Sequence, residues 1–173
     1  MPKYDETQAE CLVFTFKEGL LSKVAHDLKI RVTRFSADVT PDSVRAKFDL
    51  RSLRVVEAMK DGNENSGALS DADKAKIAEQ ISNEVLHAAQ HPSAVFSSRA
   101  ITPRADGGYS IAGELSLHGV TQPIQVETRS EGGRQVASVE LHQPSYGITP
   151  FKAMMGTLKV KADVIVRFSV PGS

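Results

Sequence analysis

A histidine and an aspartate stand side by side in the stretch VAHDL, residues 24–28, where an apolar run ends and an alternating one begins. His26 and Asp27 offer four chemistries. They could be a catalytic acid and base, the start of a metal site, a polar clamp for a ligand head group, or only a loop-to-strand junction. Neighbours in an extended strand point to opposite faces, so the two side chains cannot readily form a relay with each other. Only one of them can point inward. A polar group buried there needs a partner, and Ser22 or a ligand oxygen would serve.

His87 and His91 are four residues apart near the end of an expected helix and could share a metal ion. Two imidazoles are too few, and a third ligand would have to come from His26, Asp27, His118 or His142. Histidines also suit a helix C-terminus through the macrodipole alone, and no metal is expected. The single cysteine, Cys11, lies in an apolar run and reads as a small buried hydrophobe. A third unusual stretch runs from Tyr146 to Gly156, where a connection carries Ile148, Phe151, Met154 and Met155 before the last strand. Such a loop either folds back on the core or forms an apolar mouth in which methionine adapts to a flexible ligand. Phosphate-cradling glycine loops, HExxH and GxSxG are absent from the sequence.

The chain has 173 residues, 40% of them hydrophobic, which suffices for one domain with a real core. Lysine plus arginine and aspartate plus glutamate both total 21, so the net charge is zero and no basic stripe marks a nucleic-acid partner. The first ten residues are polar and lack the apolar segment of a signal peptide. A disordered tail is therefore expected over 1–10, one domain over 11–173, and a cytoplasmic location, or a periplasmic one for a chain trimmed of its leader. No stretch approaches the roughly 20 apolar residues that span a bilayer, so no stable membrane insertion is expected.

The elements that would position these residues are mostly strands. Leu12, Phe14 and Phe16 share one face, and Leu28, Ile30 and Val32 another. After Arg34 the apolar phase shifts by one to Phe35, Ala37 and Val39, as a β-bulge would produce. Val44 to Leu50 alternates cleanly. DGNENSG, residues 61–67, reads as a loop. Ser70 and Asp73 resemble a capping box that opens a helix over Asp71–Ala89, with Ile77, Ile81, Val85 and Ala88 on its apolar side. Further strands are expected at Ala94–Ile101, Tyr109–Leu117, Ile124–Arg129, Val136–His142 and Leu158–Val170; in the last, Ile165 breaks the alternation. About eight antiparallel strands with one helix between the third and fourth suggest a closed barrel or a sandwich.

VAHDLKIRVTRF, ADKAKIAEQISNEVLHAAQHPSAVFSS, IAGELSLHGVTQPIQV and YGITPFKAMMGTLKVKADVIV resemble, in order, the signature segments of the YceI-like family. The resemblance runs from about Cys11 to Val170. It implies an all-β, eight-stranded, lipocalin-like barrel whose long hydrophobic cavity takes up a polyisoprenoid, such as an isoprenoid quinone tail. It implies no cofactor and no catalytic residues. Many members carry a secretory leader, whereas none is expected here, and GITPFKAMMGTLKVK looks like that of a leaderless branch.

The expected lipid-binding set is Phe14, Phe16, Ile30, Val32, Phe48 and Phe96 on the strands. Leu115 and Phe168 join them, with Phe151, Met154 and Met155 at the mouth and His26 and Asp27 as a polar site edge. Two other readings stand beside lipid binding: a small-molecule hydrolase using His26 and Asp27, and a stress-response interaction module with a filled core. Unprotected sheet edges and the resemblance favour a homodimer.

Overall fold

A computed structural model describes residues 3–18, 26–153 and 158–172. Strands β1 (Lys3–Asp5), β2 (Glu10–Thr15), β3 (Asp27–Val32), β4 (Phe35–Val39), β5 (Val44–Asp49), β6 (Leu53–Lys60) and β7 (Asn63–Glu64) precede helix α1 (Asp71–Gln80). The helix continues as a π-helical turn, Ile81–Val85. Then come β8 (Ser93–Pro103), β9 (Tyr109–Leu117), β10 (Val120–Glu131) and β11 (Arg134–His142). A 3-10 turn, Gln143–Tyr146, leads to a short ribbon, β12 (Lys152–Ala153) and β13 (Leu158–Lys159), and β14 (Asp163–Pro171) is the last strand.

Twelve strands form one curled antiparallel sheet in the order β1-β4-β5-β8-β9-β10-β11-β14-β2-β3-β6-β7, and β12 with β13 stands apart. The curl comes from one bent hairpin. Its near half, β3 with β6, lies beside β2, whereas its far half, β4 with β5, lies beside β8. Both strands bend at the same level. There the Thr33 N–H donates to the Ser52 carbonyl at 2.9 Å and the Asp49 N–H to the Arg34 carbonyl at 3.0 Å. The Ser52 hydroxyl, in a residue only 7% exposed, donates to the Asp49 carbonyl at 2.7 Å and accepts from the Arg34 N–H at 3.0 Å.

The count of twelve differs from the eight strands expected, for physical reasons. The bends divide one run into β3 and β4 and another into β5 and β6, while β1 and β7 are short additions at the sheet's ends. Residues Lys3–Asp5 pair with β4 and Ala9 is buried, where the sequence reading places a disordered tail. β6 itself is missed by alternation, because Ile30 pairs with Val55 but Lys29 with Glu57, leaving Val56 as an extra residue that reverses the phase. The final strand is interrupted, with β13 ending at Lys159 and β14 starting at Asp163.

The expected capping box is formed: the Asp73 N–H donates to Ser70 Oγ at 3.0 Å, and the Ser70 N–H to Asp73 Oδ2 at 3.2 Å. The α-helix is shorter than Asp71–Ala89, since its last stretch is π-helical and His87, at φ 48°, ends it. No residue of α1 is fully buried. Its apolar side, Ile77, Ala78 and Ile81 with Leu69 before it, packs on Leu28, Ile30 and Val55 at one end of the curl.

Ser52→Ala is expected to cost about 1–3 kcal/mol, because it leaves the Arg34 N–H without its acceptor at the bend. Chemical denaturation of the variant measures this, and an unchanged stability would show that the bend does not depend on the Ser52 hydroxyl.

Candidate functional site

The inward residues of the sheet and the underside of α1 enclose a cavity of about 1150 Å³. Its wall runs the length of the curl. At the end carrying α1 it includes His26, Leu69, Lys76, Gln80, Phe151 and Val160; at the other it includes Tyr4, Pro41, Pro103, Tyr109 and Pro171. Between them the wall is aliphatic and aromatic. Phe35, Phe48 and Phe168 meet with ring centroids 5.5–5.8 Å apart, Phe48 and Phe168 edge to face. Phe96 lies against Gly113, where an added Cβ would sit 2.6 Å from both the ring and the Ser97 carbonyl oxygen. Glycine is required there if the ring is to stay in the wall.

Of the expected lipid-binding residues, Ile30, Val32, Phe48, Phe96, Leu115, Phe151 and Phe168 line the cavity, as does His26. Met154 and Met155 lie outside the described residues, as does Ser22. Phe14 and Phe16 do not line the cavity, because β2 has the opposite phase: Cys11, Val13 and Thr15 face in. The segment CLVF is apolar on both faces, so alternation could not choose between them. Leu12, only 5% exposed on the outer face, stands between Arg31 and Arg167, whose aliphatic stems can shield it. Phe14 pairs across the outer face with Ile165, which accounts for the break in alternation at Ile165.

Asp27 is likewise absent from the wall; its Oδ1 accepts the Lys17 N–H at 2.7 Å. The adjacent pair is therefore divided, His26 toward the cavity and Asp27 toward the backbone of β2's end. Two other polar wall residues, Thr128 and Gln135, satisfy each other. Thr128 Oγ1 donates to Gln135 Oε1 at 2.8 Å and accepts the Tyr109 N–H at 3.0 Å. Asp73, beside the cavity, has its carboxyl held below the usual range by hydrogen bonds from the Ser70 backbone and side chain. Thr15 Oγ1 is buried without a partner. Burial pushes the Cys11 thiol up to about 12.

Ile77, Ile81 and Val85 of the expected helix face line the wall, with Leu69 before the helix and Leu86 after it, and the sequence alone assigns none of them to a site. Their period showed an apolar face but not what that face covers. His118, at φ 56° in the β9–β10 turn, packs its ring against those of His91 and His87, with centroids 4.6 and 5.5 Å away. Its Nδ1 lies 3.2 Å from the Tyr146 carbonyl oxygen. The contact ties the helix end, a strand turn and the chain leading to Phe151 together. Among the described residues no three side chains are arranged to hold a metal ion, and no described helix is long and apolar enough to cross a membrane.

An all-β fold that curls around one elongated apolar chamber, with a single helix across one end, defines the class. Residues 5–171 match the YceI-like domain, and the chain belongs to that family. It is 26% identical over 132 residues to a UPF0312 protein of Shewanella denitrificans, covering 69% of this chain and 68% of that one. It is 30% identical over 115 residues to a UPF0312 protein of Vibrio vulnificus, covering 62% of this chain but only 52% of that one. Among solved structures, Burkholderia cenocepacia BcnA matches with a TM-score of 0.70 at 17% identity, covering 98% of this chain and 99% of that chain. A polyisoprenoid-binding domain from Saccharophagus degradans matches with a TM-score of 0.60 at 13% identity, covering 94% and 91%. At these identities the two structures establish the shared fold.

The Cys11 thiol is expected to resist a soluble disulfide reagent at pH 8 in the folded protein and to react fully once the protein is unfolded. Rapid labelling of the native protein would contradict its placement in the sealed wall.

Proposed function

We propose that this protein holds a polyisoprenoid or similar long-chain lipid, such as an isoprenoid quinone, inside the curl for storage, transport or sequestration. In this reading the bent runs act as single strands, and the sheet works as an eight-stranded lipocalin-like barrel. The observation that carries the proposal is the continuous apolar cavity of about 1150 Å³, which reaches from the helix-bearing end to the turns opposite. It exceeds the roughly 300–1,000 Å³ of ordinary small-molecule pockets and is elongated, as a chain-like ligand requires. The polyisoprenoid-binding domain of the same fold supports the choice of ligand class.

The energetics are sufficient without a strong polar anchor. Each buried CH₂ contributes about 0.8 kcal/mol, so ten of them give roughly 8 kcal/mol before ordering and immobilisation are subtracted. Several kcal/mol are lost there, which leaves binding near micromolar. The hydrolase reading loses support from the geometry, since Asp27 does not line the cavity with His26.

Native mass spectrometry of protein purified from cells is expected to show a bound lipid, and prenyl quinones should bind the delipidated protein. Ligand-free protein in every preparation, together with no quinone binding, would overturn the proposal. Ala137, in the wall opposite Phe168, provides a sharper variant. Ala137→Phe should weaken lipid binding at least tenfold while the protein remains folded. The rim and the interior should also respond differently. Phe151→Ala is expected to speed lipid release with little change in melting temperature. Phe48→Ala should cost about 3 kcal/mol or more through its lost contacts with Phe35 and Phe168. Equal destabilisation by both, with release unchanged, would place Phe151 in the core.

A further inference from the structure

Among the described residues three buried side-chain polar atoms have no hydrogen-bond partner: Thr15 Oγ1, Glu57 Oε1 and His118 Nε2. Glu57 keeps an ion pair with Lys74 through its other oxygen, and the other ring nitrogen of His118 has the Tyr146 carbonyl. Thr15 has no second polar atom in its side chain, and it is the one of the three that lines the cavity.

The surroundings of Thr15 are apolar. It pairs across the ladder with Leu28, and the register that sets Ile165 opposite Phe14 brings Val164 to its other side. Leu28, Val164 and Val13 all line the cavity. A valine would complete this wall equally well, because it has the shape of threonine and both suit a strand. The hydroxyl therefore serves no contact of the fold, and a buried donor left unmade costs free energy. The backbone there is fixed from both sides. Asp27 Oδ1 accepts the Lys17 N–H at 2.7 Å, and the Lys161 N–H donates to the Phe16 carbonyl at 2.8 Å. Rotation about χ1 is the freedom left to Thr15, and it exchanges hydroxyl and methyl at the wall.

The threonines at the opposite end of the wall are already engaged. Thr40 Oγ1 accepts the Ser43 N–H at 3.0 Å, and Thr128 Oγ1 donates to Gln135. The charges of the wall narrow the ligand's polar group further. Among the described residues the wall contains one carboxylate, Asp73, and one ammonium, Lys76, and no arginine or glutamate. A phosphate or carboxylate head would thus meet no net positive charge. An uncharged acceptor, such as a carbonyl oxygen, matches a single hydroxyl donor.

We propose that the Thr15 hydroxyl donates a hydrogen bond to a carbonyl oxygen of the bound lipid. This contact seats an uncharged head group just inside the rim formed by Phe151 and Val160, with the tail running past Val13 and Val166 toward Phe48 and Phe168. The inference rests on the proposed lipid-binding reading and adds to it the class of head group and the direction of the chain. Thr15 stands two residues from Lys17, which bridges Val160 at the rim, whereas the paired Val13 and Val166 lie one step further in. One such bond is worth about fivefold in affinity, which selects a head group without acting as a strong anchor.

Affinities of the full chain for a prenyl quinone, an oxygen-free prenyl hydrocarbon and a prenyl phosphate, each offered in detergent, test this. Thr15→Val should lower quinone affinity about fivefold and leave hydrocarbon affinity unchanged. The melting temperature of the lipid-free variant should stay the same or rise, since an unpaired buried hydroxyl is gone. Thr15→Ser keeps the hydroxyl and should keep the quinone affinity. With an isotope-labelled quinone carbonyl, the infrared band of the bound ligand should lie below its position in an apolar solvent. Thr15→Val should return it to that position and Thr15→Ser should not. An equal loss for quinone and hydrocarbon, a lower melting temperature without lipid, or tighter binding of the phosphate than of the quinone would each overturn the head-group contact. Binding of quinone and hydrocarbon that is untouched by Thr15→Val would overturn the contact and leave the lipid-binding reading standing. Binding of none of the three would remove both.

Discussion

The structure depends on the bend that Ser52 and Arg34 hold. An antiparallel sheet with one apolar face must cover that face, and here it does so by curling rather than by stacking on a second sheet. The curl is set where one hairpin changes direction and is shared between the strands beside β2 and those beside β8. Bending both strands at one level breaks ladder hydrogen bonds, and the buried groups so released are taken up by Ser52 and Thr33. A chamber follows from this corner, because it keeps the two halves of the sheet from collapsing onto each other.

What keeps the chamber open is the size of its inward side chains. Ala46 and Ala94 are buried in the cavity wall, where larger residues would fill the space. The large rings are confined to particular places: Phe35, Phe48 and Phe168 support one another, and Phe96 is accommodated by Gly113. The helix acts as a partial cover. Only Lys74, Ile77, Ala78 and Gln80 of the helix are half-buried, the rest are exposed, and none is fully buried, so the mouth is bordered by an element without a buried anchor of its own.

Much of this was legible in the sequence because period-two alternation and a local capping box are short-range signals. Val44 to Asp49, Tyr109 to Leu117 and the Ser70–Asp73 cap needed no knowledge of their surroundings. The errors arise where the deciding interaction is distant. In β2 both faces are apolar, and the inward one is chosen by partners some 150 residues later in the chain, with Arg31 and Arg167 flanking the outer Leu12. In β6 a bulge opposite Ile30 reverses the phase halfway along. The site was legible to the extent that its residues share a strand face; the helix's part in the wall, and Asp27's turn away from it, are set by tertiary packing.

The central claim is that one specific face of the sheet, and not the other, holds an apolar chain. Methyl NMR of the protein loaded with a spin-labelled long-chain lipid tests it most directly. The account predicts strong broadening of the methyl signals of Val13, Ile30, Leu115 and Val166, with Leu12 and Ile165 on the outer face left sharp. Equal broadening of both groups, or broadening of Leu12 and Ile165 alone, would contradict it.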